Sequence, residues 1–276
     1  MEKSGSNITS LVPYQTASLA KVQTSIQVAD KILFERAEYY FNRGFVSLNS
    51  LVLDHISENF SQKILEDRHY LWKSNFDFKV RNNPDDYHEA IHFFSKALAG
   101  CETYIIAYEF RGHANSEIKK YVDAAEDYTR TIELAPDYLI GYYCRGNVKY
   151  YLRAYLDAIE DYTKATEIDP EFALAFNNRG IAKNELKDMK GAVNDFTKAI
   201  EIDPDYAFAF NNRGYIKSTT GKHREAIEDY NKAIEIDPEY ANAFYNRGDA
   251  KREIADFEGA ASDYLNYQKL IAKNEN

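Results

Sequence analysis

A repeat of 34 residues constrains this chain more than any other feature. FNNRGIAKNELKDMKGAVNDFTKAIEIDPDY begins at Phe176, and FNNRGYIKSTTGKHREAIEDYNKAIEIDPEY begins 34 residues later at Phe210. The same step links Gly112, Gly146, Gly180, Gly214 and Gly248. It also links Ala124, Ala158, Ala192, Ala226 and Ala260, and then Pro136, Pro170, Pro204 and Pro238. Several residue types recurring in one register mark a stack of supersecondary units. Each unit holds two stretches with apolar residues at helical spacing, divided by a short polar break. One helix pair cannot bury its apolar face alone, so the core must form between neighbours.

The aromatic, Gly, small-residue and late-Pro pattern resembles the tetratricopeptide repeat, a helix-turn-helix unit. The resemblance implies an all-α, right-handed solenoid. Five units fit well, at 105–138, 139–172, 173–206, 207–240 and 241–272. Upstream the pattern thins. Ala90, Phe94 and Ala97 keep register in DYHEAIHFFSKAL, while Phe78 stands where Gly is expected, and Gly44 lies 68 residues before Gly112. The expected organisation is a mobile N-terminus with an amphipathic helix at 1–36, degenerate helical repeats at 37–104, and five units with a short tail at 105–276. Asp169, Asp203 and Asp237 precede Pro170, Pro204 and Pro238, as an N-cap before a proline first turn would. The mid-helix Gly costs about 0.5–1 kcal/mol against Ala, which predicts close packing by the second helix. Phe94, Tyr128, Tyr162, Phe196, Tyr230 and Tyr264 recur in step and are assigned to the core.

Residues 88–92, His-Glu-Ala-Ile-His, match the H-E-x-x-H pattern of zinc hydrolases. The repeat supplies another origin. Positions aligned with His88 hold Val122, Leu156, Lys190, Arg224 and Glu258, and those aligned with His92 hold Glu126, Glu160, Asn194, Glu228 and Ser262. That is a solvated helix face, with Ala90, Ile91 and Phe94 on the buried one. A zinc site also needs a third converging ligand, and none of Glu109, His113 or Glu117 is marked as one. No phosphate loop, G-x-S-x-G or paired-Cys motif is present. The expectation is a non-enzyme with no metal and no cofactor.

Net charge is −10, and no Lys/Arg cluster is longer than Lys119-Lys120, which argues against nucleic acid. No apolar run approaches membrane-spanning length. The opening MEKSGSNITSLVPY lacks a basic segment followed by an apolar core. Cys101 and Cys144 make no disulfide framework and read as free thiols. The expected location is cytoplasmic, without membrane attachment.

Two columns depart from the family pattern. Arg111, Arg145, Arg179, Arg213 and Arg247 replace a Leu, and Asn115, Lys149, Lys183, Lys217 and Lys251 replace a Tyr. Sixteen residues after each Arg stands Asp127, Asp161, Asp195, Asp229 or Asp263. One partly shielded Arg–Asp pair per unit is expected.

In the family, first helices line a concave groove that takes extended peptides or partner helices. Carried onto this chain, the groove presents Asn147, Asn177, Asn178, Asn184, Asn211, Asn212 and Asn246, with Tyr143, Tyr150, Tyr215 and Tyr245. Glu109, His113, Ser218 and Arg252 complete it. Asparagine both donates and accepts, so such a column suits a peptide backbone of any sequence, and tyrosine adds contact area. Phe208 and Asn177 stand where a carboxylate clamp would need cations. The function implied is a protein-binding scaffold or adaptor. An alternative is a regulatory subunit whose N-terminal helix, with Leu19, Val22, Ile26, Ala29 and Leu33 as its stripe, docks onto an effector. At the other end Tyr264, Leu265 and Ile271 suggest a contact surface for a homodimer or for a partner, beside Tyr267 where earlier units have Ala.

Overall fold

The computed structural model describes residues 84–274. The expected N-terminal helix, the worn unit at 37–70 and the boundary at 36 lie outside them. The chain divides into two compact units, Met1–Lys119 and Lys120–Asn276. Every described element is an α-helix. The first unit contributes α1 (Pro84–Gly100) and α2 (Ile105–Glu117). The second contributes α3 (Tyr121–Leu134), α4 (Leu139–Tyr151), α5 (Tyr155–Ile168), α6 (Ala173–Glu185) and α7 (Met189–Ile202). It continues with α8 (Ala207–Thr219), α9 (His223–Ile236), α10 (Ala241–Glu253) and α11 (Phe257–Asn274). In this unit each helix packs on the next in chain order, and first helices also touch, α4 on α6 and α8 on α10. That is the helix-turn-helix solenoid expected.

In the first unit α1 packs on α2 through Tyr87, Ala90, Phe94, Ala97, Leu98, Ala107 and Ala114. In the second, Ala158, Ala192 and Ala226 are fully buried beneath the neighbouring helix. The reason for the mid-helix glycines lies in the aromatic column. A Cβ on Gly180 would come within 2.7 Å of the Phe196 ring, and one on Gly146 within 2.7 Å of Tyr162. The ring of each second helix rests on the bare backbone of the first. Tyr162, Phe196 and Tyr230 are all at most 2% exposed.

The aspartates before proline play a different part from the one expected. Asp169, Asp203 and Asp237 close the preceding helices as C-caps. Their carboxylates accept the backbone N–H of Glu171, Asp205 and Glu239 two residues on. This Asx turn reverses the chain, and the next helix starts later, after Phe172, Tyr206 or Tyr240, with no side-chain cap. Helix N-capping falls instead to Asp188 and Asp256, which accept from the N–H of Gly191 and Gly259, each at 2.9 Å.

The arginine–aspartate pairs form in all four units wholly inside Lys120–Asn276. Arg179 Nε donates to one Asp195 oxygen at 2.9 Å and Nη2 to the other at 2.7 Å. Arg145 with Asp161, Arg213 with Asp229 and Arg247 with Asp263 repeat this fork. The lysine column joins the same carboxylates: Lys183 Nζ lies 2.8 Å from Asp195, with Lys149, Lys217 and Lys251 placed alike. Each guanidinium also sits over the aromatic ring three residues earlier, Phe176 for Arg179 at 5.1 Å. Its remaining nitrogen reaches back one unit, Arg179 Nη1 to Thr163 and Thr166 and Arg145 Nη1 to Thr129. The cluster therefore ties a helix pair together and ties that pair to the one before. Arg111 and Asp127 belong to different units.

Candidate protein-binding face

The predicted asparagines meet across helices as a ladder. Asn178 on α6 donates to Asn147 Oδ1 at 2.9 Å and to the Tyr143 hydroxyl at 3.1 Å, both on α4. Asn212 on α8 donates to Asn177 on α6 at 3.0 Å, and Asn246 on α10 donates to Asn211 on α8 at 2.9 Å. The offset is 35 residues, one more than the repeat, because each rung joins two adjacent columns of neighbouring first helices. Asn177 also donates to Asn178, and Tyr162 to Asn147.

The ladder sorts the predicted residues by exposure. Asn177 at 4%, Asn211 at 6% and Tyr143 at 8% are buried within it. Burial pushes the Tyr143 phenol up to about 12, so the ring stays neutral and hydrogen-bonded. Asn147, Asn178, Asn184, Asn212 and Asn246 are half-buried. Asn178 spends both donor hydrogens on α4. Asn212 and Asn246 each spend one, so each keeps an N–H and a carbonyl oxygen for a ligand. Tyr215 and Tyr245 stand exposed at 47% and 44%, with Phe208, absent from the predicted set, at 53%. Phe208 leans on Tyr240 with ring centroids 4.8 Å apart, and Tyr245 on Tyr267 at 5.1 Å. The signal for Phe208 was its column, shared with Ile140 and Leu174 on the same helix face.

The remaining predicted positions are engaged locally. Tyr150 bonds Glu185, and burial followed by that carboxylate raises its pKa. The Ser218 hydroxyl lies 3.3 Å from His223 Nδ1. Arg252 pairs with Asp249 at 3.1 Å and with Glu253 at 3.4 Å. His113 is held well below the usual imidazole range by burial, with Glu117 opposing. His88 and His92 are exposed on α1, and His92 lies edge-on to Phe93. Among the described residues no group of three or more His, Cys, Asp or Glu could hold a metal ion. Cys101 and Cys144 are free, the second buried. No helix of the described residues is long and apolar enough to cross a membrane.

Comparison with known proteins agrees with this geometry. Family profiles described as tetratricopeptide repeat match residues 173–206 and 196–228, and one described as TPR repeat matches 219–252. No curated protein matches the chain in sequence. Among solved structures, MamA aligns with TM-score 0.54 and 22% identity, over 59% of this chain and 96% of its own. YrrB, described as a TPR protein with an unusual peptide-binding site, aligns with TM-score 0.51 and 24% identity, over 64% and 91%. MamA from Desulfovibrio magneticus RS-1 gives 0.53 and 16%, over 67% and 99%. These likenesses establish a shared fold. With the 34-residue register, the stacked helix pairs and the profiles in one place, the chain is a tetratricopeptide repeat protein.

Proposed function

We propose that this protein is a non-catalytic scaffold or adaptor that holds an extended peptide or partner helix against its asparagine-bearing face. The observation that carries the reading is the spare bonding capacity of Asn212 and Asn246 beside exposed Tyr215 and Tyr245. An amide that keeps one donor and one acceptor can pair with a peptide group regardless of that peptide's sequence. Half-exposed tyrosines supply apolar area with few rotors to freeze. YrrB, with the same fold, is described as binding peptide. Two free thiols suit a reducing, cytoplasmic setting. The test is affinity purification with the wild type and with the Asn178→Ala, Asn212→Ala, Tyr215→Ala triple variant, each checked for helicity. Partners lost by the triple variant support the reading; equal capture would exclude this face.

A second reading concerns self-association. Leu265 on α11 is 51% exposed, which favours a homodimer through this end. Light scattering on wild type and Leu265→Glu tests it, and a monomer in both would remove it.

A further inference from the structure

The turns joining first to second helices carry a second surface, separate from the asparagine ladder. Across α3–α6 this edge exposes Val122 (61%), Tyr151 (60%), Leu152 (43%), Leu156 (67%) and Leu186 (41%). Tyr151 stacks on Tyr121 with ring centroids 5.2 Å apart and planes within 10°, which makes the patch continuous between α3 and α4. The repeat provides an internal control. The place of Leu156 is taken by Lys190, Arg224 and Glu258 in later units, and that of Tyr151 by Glu185, Thr219 and Glu253. The backbone accepts charge there, so folding does not require the apolar side chains, and an exposed cluster of them marks an interaction surface.

Charge identifies the occupant. Lys120, Arg153, Lys187 and Lys190 border the patch, are exposed, and make no ion pair among the described residues. Arg153 and Lys187 hold left-handed backbone, φ 62° and 65°, where the following turn uses Gly221. The last unit holds the same conformation with Ala255, φ 62°, so the turn takes a cation, a glycine or an alanine, and Arg153 and Lys187 fall in the two units whose turns carry Leu152 and Leu186. Two of the edge's own carboxylates are committed: Asp188 caps Gly191 and Glu185 accepts from Tyr150. Asp123 and Asp157 lie in the first turns of α3 and α5, where they favour the helix N-termini.

We propose that this edge docks an acidic amphipathic segment of a partner protein. Its apolar side chains lie on Val122, Leu152 and Leu156, and its carboxylates on Lys120, Arg153 and Lys187. The mode is the laying of an amphipathic helix on an apolar surface, with charge setting partner and register. An anionic membrane has the same charge, and the vesicle measurement below separates it from a protein segment.

The experiment selects binders to the full chain from a displayed library of random segments long enough for about four helical turns. The expected winners combine Asp or Glu with Leu or Phe at three- and four-residue spacing. A synthetic winner loses about tenfold or more in affinity for Leu152→Glu/Leu156→Glu and for Arg153→Glu/Lys187→Glu, and binds Tyr215→Ala as it binds wild type. Circular dichroism checks each variant, with Leu152→Ser/Leu156→Ser replacing the first if it is not folded. Winners without acidic residues, winners indifferent to every edge substitution, or winners lost only by Tyr215→Ala would overturn the proposal. Phosphatidylserine vesicles that bind wild type and not the edge variants would assign the surface to lipid and overturn it as well.

Discussion

Asn178 and Arg179 are adjacent in sequence, yet their side chains enter different networks. Arg179 joins Asp195, Lys183, Thr163 and Thr166, a charged cluster whose carboxylate is 6% exposed. Asn178 joins Tyr143, Asn147 and Asn177, a neutral row that continues through Asn212 and Asn246 toward exposed rings. Both rows recur with the repeat and both cross from one unit to the next. They differ in what a substitution leaves behind. Deleting a carboxylate strands two cations in a half-dry place, whereas deleting an amide leaves neutral partners that water can reach. Ion clusters of this kind hold geometry, and the asparagine row can hold geometry and still offer bonds outward.

That contrast orders the expected effects on stability. Asp195→Ala should be the most damaging, at about 3 kcal/mol, the lower end for breaking a buried pair because Lys183 keeps some water. Chemical denaturation measures it, and an unchanged midpoint would show the charges to be uncoupled. Gly180→Ala comes next, since its methyl would meet Phe196 at 2.7 Å. The expected loss is about 1–2 kcal/mol, overpacking partly offset by better helix propensity; a gain in melting temperature would mean the ring moves freely. Asn212→Ala removes one neutral rung and should cost about 1 kcal/mol, and a loss as large as that of Asp195→Ala would erase the distinction between the rows. Replacing His88 and His92 with Gln, outside both rows, should leave stability within about 0.5 kcal/mol and binding intact. Loss of activity with full helicity would revive the metal reading.

Much of this was legible from the period alone. The Arg–Asp pairing followed from a constant 16-residue offset, because two helices of one unit always present the same residues to each other. Glycine predicted close packing, and the structure shows which ring demands it. What stayed hidden depends on geometry between units or on where a helix ends. The lysine column was visible, but its sharing of the arginine's carboxylate was not. The rung from Asn212 to Asn177 joins different columns, so aligning units does not reveal it. Asp169 was misassigned because Asp before Pro fits both an N-cap and an Asx turn, and only the helix start at Ala173 separates them. Val122 and Leu156 looked like ordinary variation on a mixed surface until their exposure placed them beside Tyr151 and Leu152.

The central claim is that the asparagine face binds while the charged row holds the fold, and Tyr215 tests it with the least ambiguity. Its ring is 47% exposed, beside the ladder, with no rung resting on it. The measurement is the affinity of the folded Tyr215→Ala variant for a partner peptide recovered with the wild type, read alongside its melting temperature. The account predicts an unchanged melting temperature and an affinity about tenfold weaker, the loss of one aromatic anchor. Equal affinity at equal stability would contradict it and move the binding surface elsewhere on the molecule.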